Sequence, residues 1–204
     1  MEAAAGSQRT IEGEKAQRIV DAMRASVARR GVAGSTFDHV AREARVSRGL
    51  LHYYFGTKER LLAEVVRRDT ELRLQILEER LSGARSADDF IELLVYALRE
   101  TVRKDPELIT VTFELFTLAR RNEEVASELA EMLRRTREHV AGLLAAKQAE
   151  GVLHLRAEPA AVADILFALS DGVSLRMLTE PSRDFAETVR AGVLAVRALL
   201  DDRD

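Results

Sequence analysis

The sequence predicts an all-α protein in two parts, a small N-terminal three-helix unit and a larger C-terminal helical domain. Apolar residues recur three and four positions apart along most of the 204 residues, which is the spacing of one face of an α-helix. Ser, Thr, Asp or Asn precedes most of these segments, as expected of helix N-caps. No segment shows the strict alternation of a β-strand, and 47% apolar content suffices for one large or two modest domains.

The first helix is expected from Glu14 to Arg30, with Gly31 as its end. Its buried face should pack across the segment that follows and comprises Ala16, Ile19, Val20, Met23 and Val27. Residues 1–12 are small and polar, so a disordered tail is expected there. The N-terminal unit then spans residues 13–60, and the C-terminal domain spans residues 61–204.

Three helices are predicted to begin in the stretch STFDHVAREARVSRGLLHYYFGTKERLL, which covers residues 35–62. Ser35 or Thr36 can cap the first helix, and Asp38 stands at capping-box spacing from Ser35. After a short turn, Ser47 is a good N-cap for a helix of barely two turns. Thr57 is expected to cap the third helix.

The middle helix is too short to add much core, because most helical stability comes from packing a long apolar face. It concentrates polar side chains instead, namely those of Ser47, Arg48, His52, Tyr53 and Tyr54, while Leu51 and Phe55 can anchor it from beneath. Lys58 lies in the first turn of the next helix, where a bound phosphate would relieve its conflict with the helix dipole. This is the helix-turn-helix arrangement, whose second helix enters the DNA major groove.

The run VSRGLLHYYFGTKERLL resembles the signature of the TetR family of bacterial transcriptional repressors. The resemblance implies that bases and adjacent phosphates are contacted by Ser47, Arg48, Gly49, Leu50 and Tyr54, and the DNA backbone by Thr36, His52, Tyr53 and Lys58. His52 stands where the family usually has Tyr, so its contact is expected to depend on pH or tautomer. Arg45 stands where a turn glycine is common, and a residue other than glycine pays roughly 1 kcal/mol for a left-handed conformation. The alternative interpretation is that Arg45 offers the DNA another positive charge.

Taken singly, these residues have plainer interpretations. Tyr53, Tyr54 and His52 are each consistent with packing, and Lys58 is consistent with a solvated surface lysine. Only the ordered set within a capped helix-turn-helix predicts DNA binding. The charge distribution agrees, because residues 1–70 hold 13 Lys and Arg against 9 Asp and Glu, whereas the whole chain has a net charge of −3.

A long helix is expected from Lys58 to about Leu81, since neither Pro nor Gly interrupts it. Such a helix would carry any displacement in the C-terminal domain back to the DNA-reading helix. Further helices are expected to open at Ser86, Asp105 and Asn122, each of which is a suitable cap.

The last two helices, at about 159–178 and 182–200, are apolar on more than one face and must be covered on more than one side. The second cover is predicted to be another copy of the chain, in a four-helix interface. The run ALSDGVSLRMLTEP also resembles the equivalent segment of TetR-family dimers, and residues 108–180 resemble the betaine-inhibitor-type subgroup. The predicted interface residues are Leu169, Gly172, Val173, Arg176, Val193, Val196 and Leu200.

A small-molecule site is predicted among the helices between residues 86 and 178, where the bulky or adaptable side chains are those of Phe90, Tyr96, Phe113, Phe116, Met132, His139 and Phe167. Tyr96 and His139 are the neutral polar candidates for orienting a ligand. Aromatic residues at helical spacing are also typical of a core, and that alternative stays open. The four His residues lack metal-ligand spacing, so neither a metal nor a cofactor is expected.

Other classes of protein fit the sequence less well. It contains no Gly-rich phosphate loop, G-x-S-x-G elbow, H-E-x-x-H motif or Cys nucleophile, so an enzyme is not expected. The absence of Cys fits a reducing cytoplasm. The first residues lack the apolar region of a signal peptide, and no apolar run reaches the roughly 18 residues of a membrane span. We therefore expect a cytoplasmic protein with no membrane contact.

The sequence thus predicts a homodimeric repressor that binds a palindromic operator in double-stranded DNA and is released by a small-molecule effector. Two alternatives stay open. One is an architectural DNA-binding protein with neither sequence preference nor ligand. The other is a transcriptional activator, because a helix-turn-helix does not distinguish activation from repression.

Overall fold

The computed structural model describes residues 2–200, apart from the side chains of residues 2–12 and 73. This range contains nine α-helices and no β-strand, so the all-α prediction is confirmed. The helices are α1 (Glu2–Gly34), α2 (Phe37–Ala44), α3 (Arg48–Phe55), α4 (Lys58–Leu81), α5 (Ala87–Lys104), α6 (Pro106–Ala119), α7 (Glu123–Ala149), α8 (Pro159–Thr179) and α9 (Ala186–Leu200). None of these helices combines the length and the apolar character that crossing a membrane requires.

The first of two compact units joins the residues up to 69 with residues 111–129. In this unit α1 packs on α2, and α2 packs on α3. Buried apolar side chains from α1 to α4 form its core, among them Ile19, Met23, Val40, Leu51 and Leu62. The three-helix arrangement expected at the N-terminus is therefore present. Helix α3 contributes one buried residue to this core, Leu51.

The second unit contains residues 70–110 and the residues from 130 onward. Helix α5 packs on both α8 and α9, which also pack on each other. The core of this unit consists of Leu81, Ala84, Ala87, Phe90, Ile91, Val140, Leu144, Leu153, Val162, Ala163 and Leu200. The end of α9 is tied down because the amides of His154 and Arg156 donate to the carbonyls of Leu200 and Leu199, at 2.9 and 3.2 Å.

Two helix starts differ from those that the sequence led us to expect. Helix α1 begins at Glu2, whereas residues 1–12 were expected to form a disordered tail. This segment contains three alanines and two glutamates, which are strong helix formers. Helix α9 begins at Ala186 instead of at about Ser182, because residues 180–184 form turns: the Arg183 amide donates to the Glu180 carbonyl at 3.0 Å, and the Ala186 amide donates to the Asp184 carboxylate at 2.9 Å.

The division between the units also differs from the expected boundary at residue 60, because residues 61–69 and 111–129 belong to the first unit. The burial of α4 explains the first of these extensions, since Leu61, Leu62, Val65 and Val66 are all buried. The second extension also contributes buried apolar side chains, those of Val111, Leu115, Val125 and Leu129.

Candidate nucleic-acid interface

The sharp exit from α2 is produced by the backbone of Arg45. This residue has φ 55° and ψ 47°, the left-handed conformation expected where a turn glycine is common. Its amide donates to the carbonyls of Ala41 and Arg42, and the Val46 amide donates to the Ala41 carbonyl at 3.0 Å. These bonds satisfy the last carbonyls of α2 and allow α3 to begin at Arg48, at an angle to α2.

The start of α2 resolves the two capping alternatives in favour of Thr36. The Thr36 hydroxyl accepts a hydrogen bond from the His39 amide at 3.4 Å. Ser35 is fully buried, and its hydroxyl donates to the Gly31 carbonyl at 2.8 Å, so it does not cap α2. The expected capping box between Ser35 and Asp38 is therefore absent, and the Asp38 carboxylate is left for another partner.

Helix α3 has one buried side and one exposed side. Leu51 is fully buried and fixes the helix to the core of the first unit. Tyr53 is 75% exposed and meets the edge of the Tyr54 ring, with ring centroids 5.2 Å apart. The candidate DNA-contact residues that are exposed on α3 and its flanks are Thr36, Arg45, Ser47, Arg48, Gly49, His52 and Tyr53, whereas Leu50, Tyr54 and Lys58 are half-buried.

Ser47 precedes α3 in the extended conformation of an N-cap, but its side chain makes no capping hydrogen bond. Ser47 therefore has the backbone conformation of an N-cap without the capping hydrogen bond, and its hydroxyl stays available to a ligand. Gly49 faces open space, because a Cβ atom placed there would lie 3.9 Å from Ser47 Oγ as its nearest neighbour. Both observations suit close approach of a bulky polyanion to the first turn of α3.

The orientation of His52 is set by two contacts. Its Nδ1 lies 3.0 Å from the Gly56 carbonyl, which requires a proton on Nδ1. Its ring also meets the Phe37 ring edge-on, with centroids 4.9 Å apart. In the neutral imidazole Nε2 is then an acceptor, and only the protonated ring can donate from Nε2 to a phosphate.

Lys58 has a protein partner that its sequence position did not suggest. Its ammonium group donates to the Val32 carbonyl, one residue after Gly31, whose non-helical φ of 69° interrupts α1. Thr57 caps α4 as predicted, because its hydroxyl accepts from the Arg60 amide at 3.2 Å. Lys58 therefore links α1 to the start of α4.

Ion pairs surround the helix-turn-helix. Arg48 Nη1 lies 3.3 Å from Asp38 Oδ1, and Arg29 pairs with Glu43. Sequence reasoning missed Asp38 as a neighbour of α3, because a spacing of ten residues across a turn has no helical period. The only indication in the sequence was that Asp38 on α2 and Arg48 on α3 carry opposite charges.

Arg60, in the first turn of α4, pairs with two carboxylates of α7 within the first unit. These are Glu124 and Glu128, the latter at 3.7 Å. Burial raises the pKa of Glu128; Arg60 opposes this effect, and the neighbouring charges of Glu124 and Glu64 add to it. Residues 111–129 are thus joined to the helix that follows α3.

The seven candidate ligand residues are divided between the two units. Phe113 and Phe116 lie in the first, with ring centroids 6.3 Å apart. In the second unit, Phe90 is fully buried in the core and Phe167 packs against that core. Phe90 is therefore a core residue, which was the alternative to a ligand-binding role for these aromatic residues.

The polar candidates in the second unit have neighbours of their own. The Arg80 guanidinium lies over the Tyr96 ring, 4.7 Å from its centroid. His139 Nε2 lies 3.2 Å from the Glu78 carboxylate, and Met132 is half-buried. No group of three or more His, Cys, Asp or Glu suited to a metal ion occurs within the described range.

The predicted interface residues of α8 and α9 differ in exposure. Gly172 and Arg176 are exposed, and Leu169 and Val173 are half-buried. Leu200 must be corrected, because it is fully buried in the core of its own chain and has no surface left for a partner. Val193 and Val196 pack against that same core. Other apolar side chains are exposed on these helices, namely Ile165, Leu175 and Leu194.

Comparison with known proteins covers both parts of the chain. The family model for bacterial regulatory proteins of the tetR family matches residues 19–65. The model for the tetracyclin repressor-like C-terminal domain matches residues 85–202, which is more than half of the chain. The first match contains the whole helix-turn-helix.

Individual relatives agree with these matches. The HTH-type transcriptional regulator BetI of Agrobacterium fabrum is 30% identical over 156 residues, which cover 71% of this chain and 74% of that protein. A TetR-family transcriptional regulator from Mesorhizobium loti has the same fold, with a TM-score of 0.74 and 21% identity over 93% of this chain and 98% of its own. So does a transcriptional regulator from Saccharomonospora viridis in complex with choline, with a TM-score of 0.71 and 21% identity over 93% of this chain and 99% of its own.

The matched families and relatives are regulators of transcription and not enzymes. A short helix with an exposed polar face, set by a left-handed turn on a three-helix unit, agrees with that activity. The chain belongs to the TetR family of transcriptional regulators.

Proposed function

We propose that the protein is a dimeric repressor that binds a palindromic operator and is released by a small molecule. The observation that carries the proposal is the exposed face of α3, where Arg48, His52 and Tyr53 surround the open backbone of Gly49. The buried Leu51 holds this face in place from below. A helix of this size reads few bases, so useful specificity calls for two copies related by a two-fold axis.

The exposed apolar side chains of α8 and α9 support a dimer. Leu194 is 64% exposed, and Ile165 and Leu175 are 47% and 42% exposed. Ile165, Gly172 and Leu175 stand seven and then three positions apart, so they follow one face of α8. Large exposed apolar side chains grouped in this way mark surfaces that are covered by a partner. The proposed partner is a second copy, which contributes the same two helices.

A quaternary ammonium compound is the first effector to test. The S. viridis regulator was solved with choline, and the chain is related to regulators named BetI. Quaternary ammonium groups are recognised by aromatic ring faces, and the candidate pair in the first unit is Phe113 and Phe116, whose ring centroids are 6.3 Å apart. An effector releases DNA only through its different affinities for the DNA-bound and DNA-free conformers.

The test is a selection of genomic DNA fragments bound by the purified protein, performed alone, with choline, and with a small-molecule extract of the source cells. The proposal predicts one enriched palindrome that is lost when the effector is added. Enrichment of unrelated fragments would instead favour the architectural alternative, whose binding depends on salt and not on sequence.

Activation is distinguished from repression by a reporter gene fused to the enriched site. The proposal predicts that reporter expression rises when the gene for this protein is deleted or when the effector is supplied. A fall in reporter expression on deletion would make the protein an activator.

A further inference from the structure

The ion pair between α2 and α3 places a carboxylate beside the first residue of the exposed helix. Asp38 Oδ1 accepts a hydrogen bond from Arg48 Nη1 at 3.3 Å, and the two side chains are 62% and 60% exposed. The Asp38 backbone is held separately, because its carbonyl accepts a hydrogen bond from Arg42 Nε at 3.2 Å. With no capping box to Ser35, the carboxylate has Arg48 as its partner.

An exposed ion pair of this kind adds little to folding stability, so its consequence lies in the orientation of Arg48. An arginine on a surface facing DNA is attracted first to the phosphates, which dominate affinity and carry no sequence information. A carboxylate next to the guanidinium repels those phosphates. It also occupies one nitrogen of the planar guanidinium, while the remaining N–H groups can still donate to O6 and N7 of guanine.

We infer that Asp38 is a specificity-determining positioning residue, which keeps Arg48 off the DNA phosphates and directs its guanidinium to a base edge. The inference rests on the proposed operator binding. It goes beyond that proposal because Asp38 lies outside the set of DNA-contact residues and acts only through Arg48. Its presence makes binding weaker on unrelated DNA and more selective for the operator.

The test compares wild type with Asp38→Asn, which removes the charge and keeps the shape. Affinity for the selected operator and for unrelated DNA of the same length is measured at several salt concentrations. We expect Asp38→Asn to bind unrelated DNA about threefold to tenfold more tightly, and the ratio of operator to unrelated affinity to fall by about fivefold or more. The salt dependence should steepen by about 0.9 in log–log slope for each added phosphate contact.

Glu43→Gln is the matched control, because it removes one negative charge from the same helix, and its partner Arg29 lies on α1 instead of α3. It should raise affinity for all DNA and leave the base preference unchanged. In an Arg48→Ala background, Asp38→Asn should no longer alter the base preference. Asp38→Ser serves as a second variant if the Asn protein does not fold, which circular dichroism reports directly.

Two results overturn the inference alone. One is an unchanged affinity ratio in Asp38→Asn when wild type selects an operator. The other is an equal loss of preference with and without Arg48, which would give Asp38 a base contact of its own. If wild type enriches no sequence at all, the proposed function and this inference fall together.

Discussion

Arg45 shows how a single backbone conformation shapes the helix-turn-helix. It is the one residue other than glycine with a positive φ in the described part of the chain. A side chain in that conformation costs roughly 1 kcal/mol. The sequence revealed this position through the comparison with a common turn glycine, and the structure agrees. The guanidinium at this turn has no hydrogen-bond or ion-pair partner within the described residues, so it is free to meet DNA.

Replacement of Arg45 separates backbone strain from charge. Arg45→Gly and Arg45→Ala both remove the guanidinium, but only glycine relieves the left-handed conformation. We therefore expect Arg45→Gly to be more stable than Arg45→Ala by about 1 kcal/mol in urea unfolding. Both variants should bind DNA equally weakly. Equal stability of the two variants would show that the turn is not strained.

Lys58 combines a structural contact with a proposed contact to DNA. Its bond to the Val32 carbonyl is a hydrogen bond from a charged donor, so Lys58→Met should lower the free energy of unfolding by about 1–2 kcal/mol. The same variant should weaken binding to all DNA sequences and flatten the salt dependence. Arg48→Ala or Tyr54→Phe should instead change the sequence preference.

Lys15→Met is the control for Lys58, because Lys15 is a half-buried lysine of α1 for which the described residues provide no partner. It should leave the stability nearly unchanged. If replacing Lys58 changed the sequence preference and left the overall affinity unchanged, the proposed contact between Lys58 and a DNA phosphate would be wrong.

Helix boundaries were predicted best where a capping residue next to the helix determines them. Helix α4 runs from Lys58 to Leu81 as expected, since Thr57 caps its start. Asn122 caps α7 by accepting from the Glu124 and Val125 amides, each at 3.1 Å. The start of α9 was missed because Ser182 is as good a cap in sequence as Asp184. Only the path of the chain after α8 decides between them.

Two caps in the helix-turn-helix should respond differently to alanine. Thr57→Ala removes a capping hydrogen bond and should cost about 1 kcal/mol of stability. Ser47→Ala removes none, so the stability should change by less than about 0.5 kcal/mol while DNA binding weakens. Urea unfolding and DNA titration of the same two proteins check this. A loss of stability in Ser47→Ala as large as that in Thr57→Ala would mean that Ser47 caps α3 after all.

Helix α4 also carries a pH-sensitive group. Burial works to raise the pKa of Glu64, but hydrogen bonds and charges from Arg67 and Arg68 outweigh it and hold that pKa below its ordinary value of 4.5. The unfolded state then binds the proton more tightly than the folded state. The associated stability is present above about pH 4.5 and is lost as the pH falls through the lowered pKa.

Glu64→Gln should therefore lose about 1 kcal/mol or less at pH 6 and show a flatter decline in stability between about pH 5 and pH 3. Urea midpoints measured across that range provide the check. Glu59→Gln is the matched control, because Glu59 lies on the same helix and has no ion-pair partner among the described residues. Identical pH profiles for wild type and Glu64→Gln would rule out this contribution.

The whole molecule depends on how α8 and α9 are covered, and the sequence predicted a cover on two sides with seven residues facing the partner. Of these, Leu200 is fully buried in the core of its own chain, whereas Val193 and Val196 pack against that core and stay half-buried. A helix that is apolar nearly all round gives no periodic signal that separates the two faces. The exposure of side chains in the folded chain does separate the two faces, and it identifies Leu194 and Leu175 as candidates for the interface with a partner.

The dimer proposal therefore depends on Leu194. Leu194→Glu should produce a monomer, because a carboxylate at the centre of an apolar interface is costly to bury. Leu72→Glu is the control, since Leu72 is 56% exposed on α4 of the same unit. Sedimentation velocity should give dimers for wild type and for the control. Dimers in all three proteins would show that the subunits meet elsewhere.

In the proposed complex, two copies of α3 read one palindrome. The most direct measurement is a footprint of the protein on its selected DNA, combined with the mass of the complex. We expect two chains on each duplex and two protected half-sites related by a two-fold axis, with centres about 34–36 Å apart or a multiple of that distance. One chain on a single unsymmetrical site, or uniform protection of the whole fragment, would contradict that expectation.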